Sequence, residues 1–219
     1  MKIVCLANSN KEGGRCIAGI ELDENNNAIL ENGHPKWIRP ICLTLHGEVP
    51  THLVSFVKIL DIIEMDVTGY PEVRNYQSEN VLFRENSIKV SGHYDTQHLN
   101  QLCDNRDLIF GNRGKAVHSE NIGSLLYSLM LIKTNKFEVI KKTYADNPNN
   151  HQIRLLFLYN GHQYDFPVTD PEFLHNYHRN EHFIDGLNEM FLSLSLTVEW
   201  MGWYYKLVAG IILNQGIQK

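Results

Sequence analysis

Two apolar stretches near the start of the chain, residues 3–7 and 16–22, flank a polar connection that carries Gly13-Gly14 and ends on Arg15. Segments of strand length around paired glycines specify a β-hairpin, because glycine supplies the positive φ that a tight reversal needs. A chain that opens this way pairs its first strands in sequence order. The same hairpin gathers Asn8, Ser9, Lys11 and Arg15 towards its tip. Cationic, amide and hydroxyl groups together suit phosphate or another polar ligand better than bond-breaking chemistry. A P-loop does not fit, since the glycines precede a strand rather than a helix and no Gly-Lys-Ser/Thr follows.

Short apolar runs and turn residues continue along the chain. Residues 23–27 form a polar turn, and 37–43 read as a short strand that Pro40 confines to an edge or a strand end. Residues 59–65 read as a strand; Leu53, Phe56, Val57 and Leu60 keep helical spacing and leave a short helix as the alternative there. Residues 70–80 form an exposed loop, 95–103 one helix, and 111–114 a turn. Strands are expected over 124–133, 137–142 and 152–159. Asn160-Gly161 then specifies a two-residue hairpin into 162–168, because both positions accept positive φ. Asp170 and Pro171 make an N-cap and a first helical residue for a helix reaching about Tyr177 or Arg179. Two strands, 188–198 and 204–213, close the chain across Trp200-Met-Gly-Trp203.

At 219 residues the chain suits one large domain or two of roughly 100 residues. About ten strands with two or three short helices and few crossover helices argue for small barrels rather than βαβ units. Five strands and one helix, twice over, is the element count of an oligonucleotide-binding (OB) barrel. The reading is mainly β: two tandem OB-like barrels with a few short helices, 1–118 with a loop extension and 119–219.

A net charge of −5 excludes a wholesale basic coat, though not a local basic face. Cys5, Cys16, Cys42 and Cys103 show no metal spacing, and no secretory signal precedes them. Reduced thiols in a cytoplasmic protein are expected, with Cys5 and Cys16 facing each other across the first hairpin. Apolar runs such as 125–132 are far too short to span a membrane.

The pieces Cys5-Leu-Ala-Asn-Ser-Asn-Lys11, Gly14-Arg-Cys-Ile-Ala-Gly19, Trp37-Ile-Arg-Pro40, Tyr76-Gln-Ser-Glu-Asn80, Tyr164 with Val168-Thr-Asp-Pro171, and Tyr205-Lys-Leu-Val-Ala209 run in order from the first strand to the last. Together they resemble the dual OB-containing domain proteins of prokaryotes. The resemblance implies two barrels in tandem, a nucleic-acid-binding role, and service as an accessory part of a defence or mobile-element system. It carries over no catalytic residue.

Trp37 and Arg39 lie two apart on a strand and share a face, where they read either as a base-stacking platform with cationic support or as barrel-wall packing. Tyr76, Gln77 and Asn80 form a loop with stacking and hydrogen-bonding capacity. In the aromatic run, Trp203 and Tyr205 share one face and Tyr204 and Lys206 the other. Core packing of the rings is favoured over base stacking, with Lys206 as the exposed member. His175, His178 and His182 read as a solvated helix end rather than a metal site, and Glu64 and Asp66 as a solvated strand edge. No acid/base pair, cofactor or metal site stands out. The expected interface therefore comprises Asn8, Ser9, Lys11, Arg15, Trp37, Arg39, Tyr76, Gln77, Asn80 and Lys206, with DNA or RNA as partner and no membrane. The alternatives are a protein-interaction adaptor and a metal-dependent nuclease or nucleotide-processing enzyme.

Overall fold

The opening hairpin forms where the apolar runs place it, with longer strands than they require. The computed structural model describes residues 1–72, 76–144 and 147–214. Packing divides the chain into one unit of Met1–Asn105 with Leu126–Ser128, and another of Arg106–Leu125 with the chain from Leu129 on. Residues 106–118, read from sequence as part of the first barrel, belong to the second. The Tyr159 hydroxyl donates to Arg106 O, and strand 116–118 pairs with strand 203–213.

The first unit contains β1 (Lys2–Lys11), β2 (Gly14–Glu21), β3 (Leu30–Glu31), β4 (His34–Pro35), β5 (Trp37–Ile41), β6 (Asp61–Glu64), β7 (Val67–Gly69), β8 (Asn80–Phe83) and β9 (Lys89–His93). Glu12-Gly13 turns β1 into β2, and a register shift between Cys5 and Ala7 breaks the regular ladder in β1. The start of β1 also pairs with β6, Ile3 lying opposite Ile63. β2 continues to β5, and β5 runs parallel to β8. β6 and β7 are one strand interrupted at Met65-Asp66: its first half pairs with β1, its second with β8. The seven-stranded sheet thus curls back on itself through its own chain, in the OB order first, second, third, fifth, fourth. β9 adds a strand beside β6.

Inward-facing residues alternate along these strands. Ile3, Cys5, Ile17, Ile38, Ile63, Met65, Val81 and Phe83 fill the interior, with Leu53 and Val54 of α1 (Thr51–Val54) and Val57 just beyond it. Each such side chain contributes about 1.5–3 kcal/mol by leaving water. β1 and β2 approach so closely that a Cβ on Gly19 would lie 1.9 Å from Val4 O, so the ladder requires glycine here. The register places Cys5 opposite Gly19 and Cys16 opposite Ser9, so the two thiols do not face each other as expected. Pro40 sits within β5 at no cost. Arg39 N–H donates towards β8, so the next nitrogen points the other way, past the end of pairing with β2. Residues 95–103 form a 3₁₀ helix (Thr96–Leu102) capped by Asp95.

The second unit contains β10 (Ala116–His118), α2 (Ser119–Ile122), β11 (Leu129–Thr134), β12 (Phe137–Tyr144), β13 (Asn147–Tyr159), β14 (His162–Pro167), α3 (Pro171–Arg179), β15 (Met190–Leu196) and β16 (Trp203–Leu213). Here the first barrel strand is the interrupted one: β11 pairs with β15 and β12 with β13. β14 follows β13 through Asn160 (φ 48°) and Gly161 (φ 77°), the expected two-residue turn. Val168 bridges in parallel to Val208 of β16, and β16 returns to β15. The order is again OB-type, and α3 stands between the third and fourth barrel strands. Phe157, Tyr164 and Phe166 pack ring to ring inside, at 5.5–5.7 Å between centroids.

Asp170 ties α3 to the barrel. One carboxylate oxygen accepts the N–H groups of Glu172 and Phe173 as an N-cap, and the other accepts Ile211 N–H at 2.9 Å. Burial pushes its carboxyl above the usual range, against these three donors. Asp170→Ala removes the cap and leaves a buried β16 amide unpaired, for a loss of about 2–4 kcal/mol. Urea unfolding measures this, and Asp170→Asn, which keeps acceptor oxygen, is expected to cost less.

Candidate nucleic-acid interface

Polar groups of the first hairpin tie it into its own barrel. Asn8 donates through Nδ2 to Val57 O at 2.8 Å and Val54 O at 3.4 Å, fastening β1 to the end of α1. Ser9 is buried opposite Cys16. Arg15 and Val49 exchange backbone hydrogen bonds of 2.9 Å, so residues 48–49 lie along the hairpin end. A Cβ on Gly14 would come within 2.4 Å of Val49 O, which shows how tightly they meet. The side chains of Lys11 and Arg15 remain half-exposed at the tip. Burial, more than any neighbour, pulls the Lys11 ammonium below its ordinary pKa; Arg39 acts in the same direction, and Cys16 and Glu48 oppose it.

Trp37 and Arg39 share a face, as their spacing requires, and that face is covered. Trp37 is buried, and its indole N–H meets no acceptor among the described residues. Arg39 is 2% exposed and forms an ion pair with Glu79 at 3.0 Å. Its Nη2 also donates to Ser128 Oγ at 2.9 Å, and Ser128 in turn donates to Glu79. This corrects the solvent-facing platform. A buried guanidinium needs a carboxylate and further acceptors, and it has them. Tyr76 is buried too, Asn80 donates to Gln77 Oε1 at 3.3 Å, and both of these are half-buried, with Ser78 the exposed residue between them.

Lys206 is the clearest reversal. The alternation along β16 is as expected, with Trp203 and Tyr205 on one face and Tyr204 and Lys206 on the other, but the lysine face points inward. Lys206 is 1% exposed. Its Nζ donates to Ile109 O at 2.6 Å, Asn112 O at 2.8 Å and Asn112 Oδ1 at 2.9 Å. It also lies 5.9 Å from the ring centres of Tyr164 and Phe166. Three oxygens and two ring faces satisfy the ammonium; of the rings expected in the core Tyr204 is buried, whereas Trp200, Trp203 and Tyr205 stand outside. Val198, Trp200, Met201, Trp203 and Tyr205 are all exposed. The signal that marks them is the pair Met201-Gly202 between two tryptophans, a turn that carries its rings outward.

His175 and His178 are exposed on α3. His182 lies beyond it, on the 3₁₀ turn Glu181–Ile184, paired with Asp185 at 3.0 Å. Glu64 pairs with Lys89 at 3.0 Å and Asp66 with Arg84 at 3.5 Å. Among the described residues no group of three or more His, Cys, Asp or Glu is placed to hold a metal. Among them, too, no helix is long and apolar enough to cross a membrane.

Two curled sheet systems of OB order in one chain define a tandem OB-fold protein. The chain matches the model of the dual OB-containing domain over residues 1–211 and belongs to that family. No curated protein matches it.

Two expectations follow from the buried cations. Arg39→Ala strands Glu79 without its counter-charge and costs about 3–5 kcal/mol by urea unfolding. For Lys206, burial lowers the pKa from the ordinary 10.5 to about 7. The folded chain therefore gives up this proton before the unfolded chain does. The cost of burying the charge is present below pH 7 and fades as pH rises towards 10.5. Stability is expected to climb between pH 7 and about pH 9 in the wild type, and chemical denaturation of Lys206→Met is expected to lack that climb.

Proposed function

We propose that the protein is a non-catalytic nucleic-acid-binding module whose first barrel engages the ligand at the β1–β2 turn and at residues 76–79 before β8. The observation that carries this is the barrel order itself. OB barrels of this strand order take oligonucleotides with the first turn, the fourth-to-fifth loop and the face between the second and third strands, and that general habit supports the reading. Lys11 and Arg15 meet phosphates at the turn, and Gln77 offers amide groups on the loop. Asn8, Ser9, Trp37, Arg39, Tyr76 and Asn80 hold these elements in place, and Lys206 does the same for the second barrel. With a net charge of −5, affinity is modest and falls with salt. Four free cysteines support a reducing, cytoplasmic setting. The wider setting, an accessory part of a prokaryotic defence or mobile-element system, is supported by the family resemblance alone.

Leu43 and Leu45, 90% and 88% exposed, favour a second reading as a protein-interaction adaptor in such a complex. Fluorescence anisotropy with labelled single-stranded DNA and RNA separates the two. The double variant Lys11→Ala/Arg15→Ala is expected to bind more weakly and to flatten the log K against log[salt] slope by about 1.4 for two lost phosphate contacts. Absence of binding at the lowest salt overturns the proposal.

A further inference from the structure

We infer that the cleft between the turn after β2 and the 3₁₀ helix (Thr96–Leu102) binds a small neutral sugar through its vicinal hydroxyl groups. The cleft measures about 320 Å³ and is lined by residues 25–27 on the turn, by His93, Tyr94, Asp95, His98 and Gln101, and by Ile62. Small-molecule sites span roughly 300–1,000 Å³, so it suits one small ligand. It lies at the opposite end of β2 from the first turn. β9 and the 3₁₀ helix, which supply most of its lining, are additions to the five barrel strands. The site is therefore separate from the elements assigned to nucleic acid and does not rest on that reading.

Both walls are fixed by hydrogen bonds of their own. On the turn, the Asp23 carboxylate accepts the N–H groups of Asn25 and Asn27 at 2.8 Å and the Asn27 side-chain amide at 3.0 Å. The side-chain amides of Asn25 and Asn26 have no partner among the described residues. Opposite them, Asp95 Oδ1 accepts Gln97 N–H at 2.9 Å and caps the helix, whose Leu99 and Leu102 are fully buried. Gln101 Nε2 donates to His98 Nδ1 at 3.2 Å. That bond leaves His98 Nε2 as the ring's donor and Gln101 Oε1 as an acceptor. His93 is held by Asp61 at 3.5 Å.

The occupant follows from this lining. A hydroxyl donates one hydrogen bond and accepts two, and a side-chain amide both donates and accepts. Neighbouring hydroxyls on one ring therefore match neighbouring amides, and Asp95 Oδ2 accepts from a further hydroxyl. Ile62 and Tyr94, both buried, present apolar atoms to ring C–H groups. Among the described residues no lysine or arginine lines the cleft, and Asp95 is a carboxylate. A phosphate would meet like charge there with no cation to offset it. The same hydroxyl pair occurs on a free saccharide and on the ribose of a nucleoside.

The test records amide ¹H–¹⁵N spectra of the full chain during titration with glucose, galactose, mannose, maltose, adenosine and glucose 6-phosphate. At least one neutral probe is expected to shift residues 25–27 and 94–101, and glucose 6-phosphate to bind more weakly than glucose. Tighter binding of adenosine than of the saccharides assigns the site to nucleosides, and the reverse order assigns it to free sugars. Asn25→Ala and Gln101→Ala, both at exposed positions, are each expected to weaken binding about 2- to 12-fold, with melting curves confirming the fold. The inference is overturned if no neutral probe shifts these residues at millimolar concentration. It is equally overturned if the shifts fall elsewhere in the chain, if glucose 6-phosphate binds as tightly as glucose, or if both alanine variants keep full affinity.

Discussion

A sheet that simply stops leaves a row of unpaired amides and carbonyls, and each unit avoids this by giving one interrupted strand two neighbours. In the first barrel the fourth strand breaks at Met65-Asp66, and Met65 N–H still reaches Met1 O across the seam while Arg84 N–H reaches Asp66 O. In the second barrel the first strand breaks at 135–136, where Thr134 Oγ1 accepts Lys136 N–H at 3.3 Å and donates to Leu158 O at 2.8 Å. Every other feature inherits its position from this closure. The apolar face turns inward, the connecting helix falls between the third and fourth strands, and the turns gather at the barrel ends.

Closure also decides where charge goes. Arg39 sits on a strand whose two faces are both covered, so its guanidinium is stable only with Glu79 and Ser128 around it. Lys206 follows the same logic with neutral oxygens in place of a carboxylate. Two of the cations that a reader of the sequence assigns to a ligand are therefore structural, and the polar hairpin tip and the ring-bearing turn are left facing solvent.

Local signals in the chain were dependable guides. The opening hairpin, the Asn160-Gly161 reversal, the Asp170-Pro171 helix start and the mainly β character all follow from turn chemistry and short-range patterning. Orientation was harder to read, because period-two alternation says which residues share a face but not which face is inside. A lysine opposite two large rings ordinarily points to water, and the choice at β16 turns on the carbonyl oxygens of Ile109 and Asn112, nearly a hundred positions away. Arg39 poses the same difficulty, since Glu79 and Ser128 come from distant parts of the chain. The residues expected to line a ligand site were accordingly the least legible, and among them Arg39 and Lys206 are turned inward by polar partners distant in sequence.

The chain leaves the first unit at Asn105, enters the second, and comes back for Leu126–Ser128 before departing again. No single scission therefore yields two whole halves. A fragment ending at Asn105 would carry the Arg39–Glu79 couple without its hydroxyl and would lose Leu126 O, which accepts from Ser78 at 2.6 Å. The three returning residues act as a stitch, making the pair of barrels one inheritable piece rather than two interchangeable cassettes.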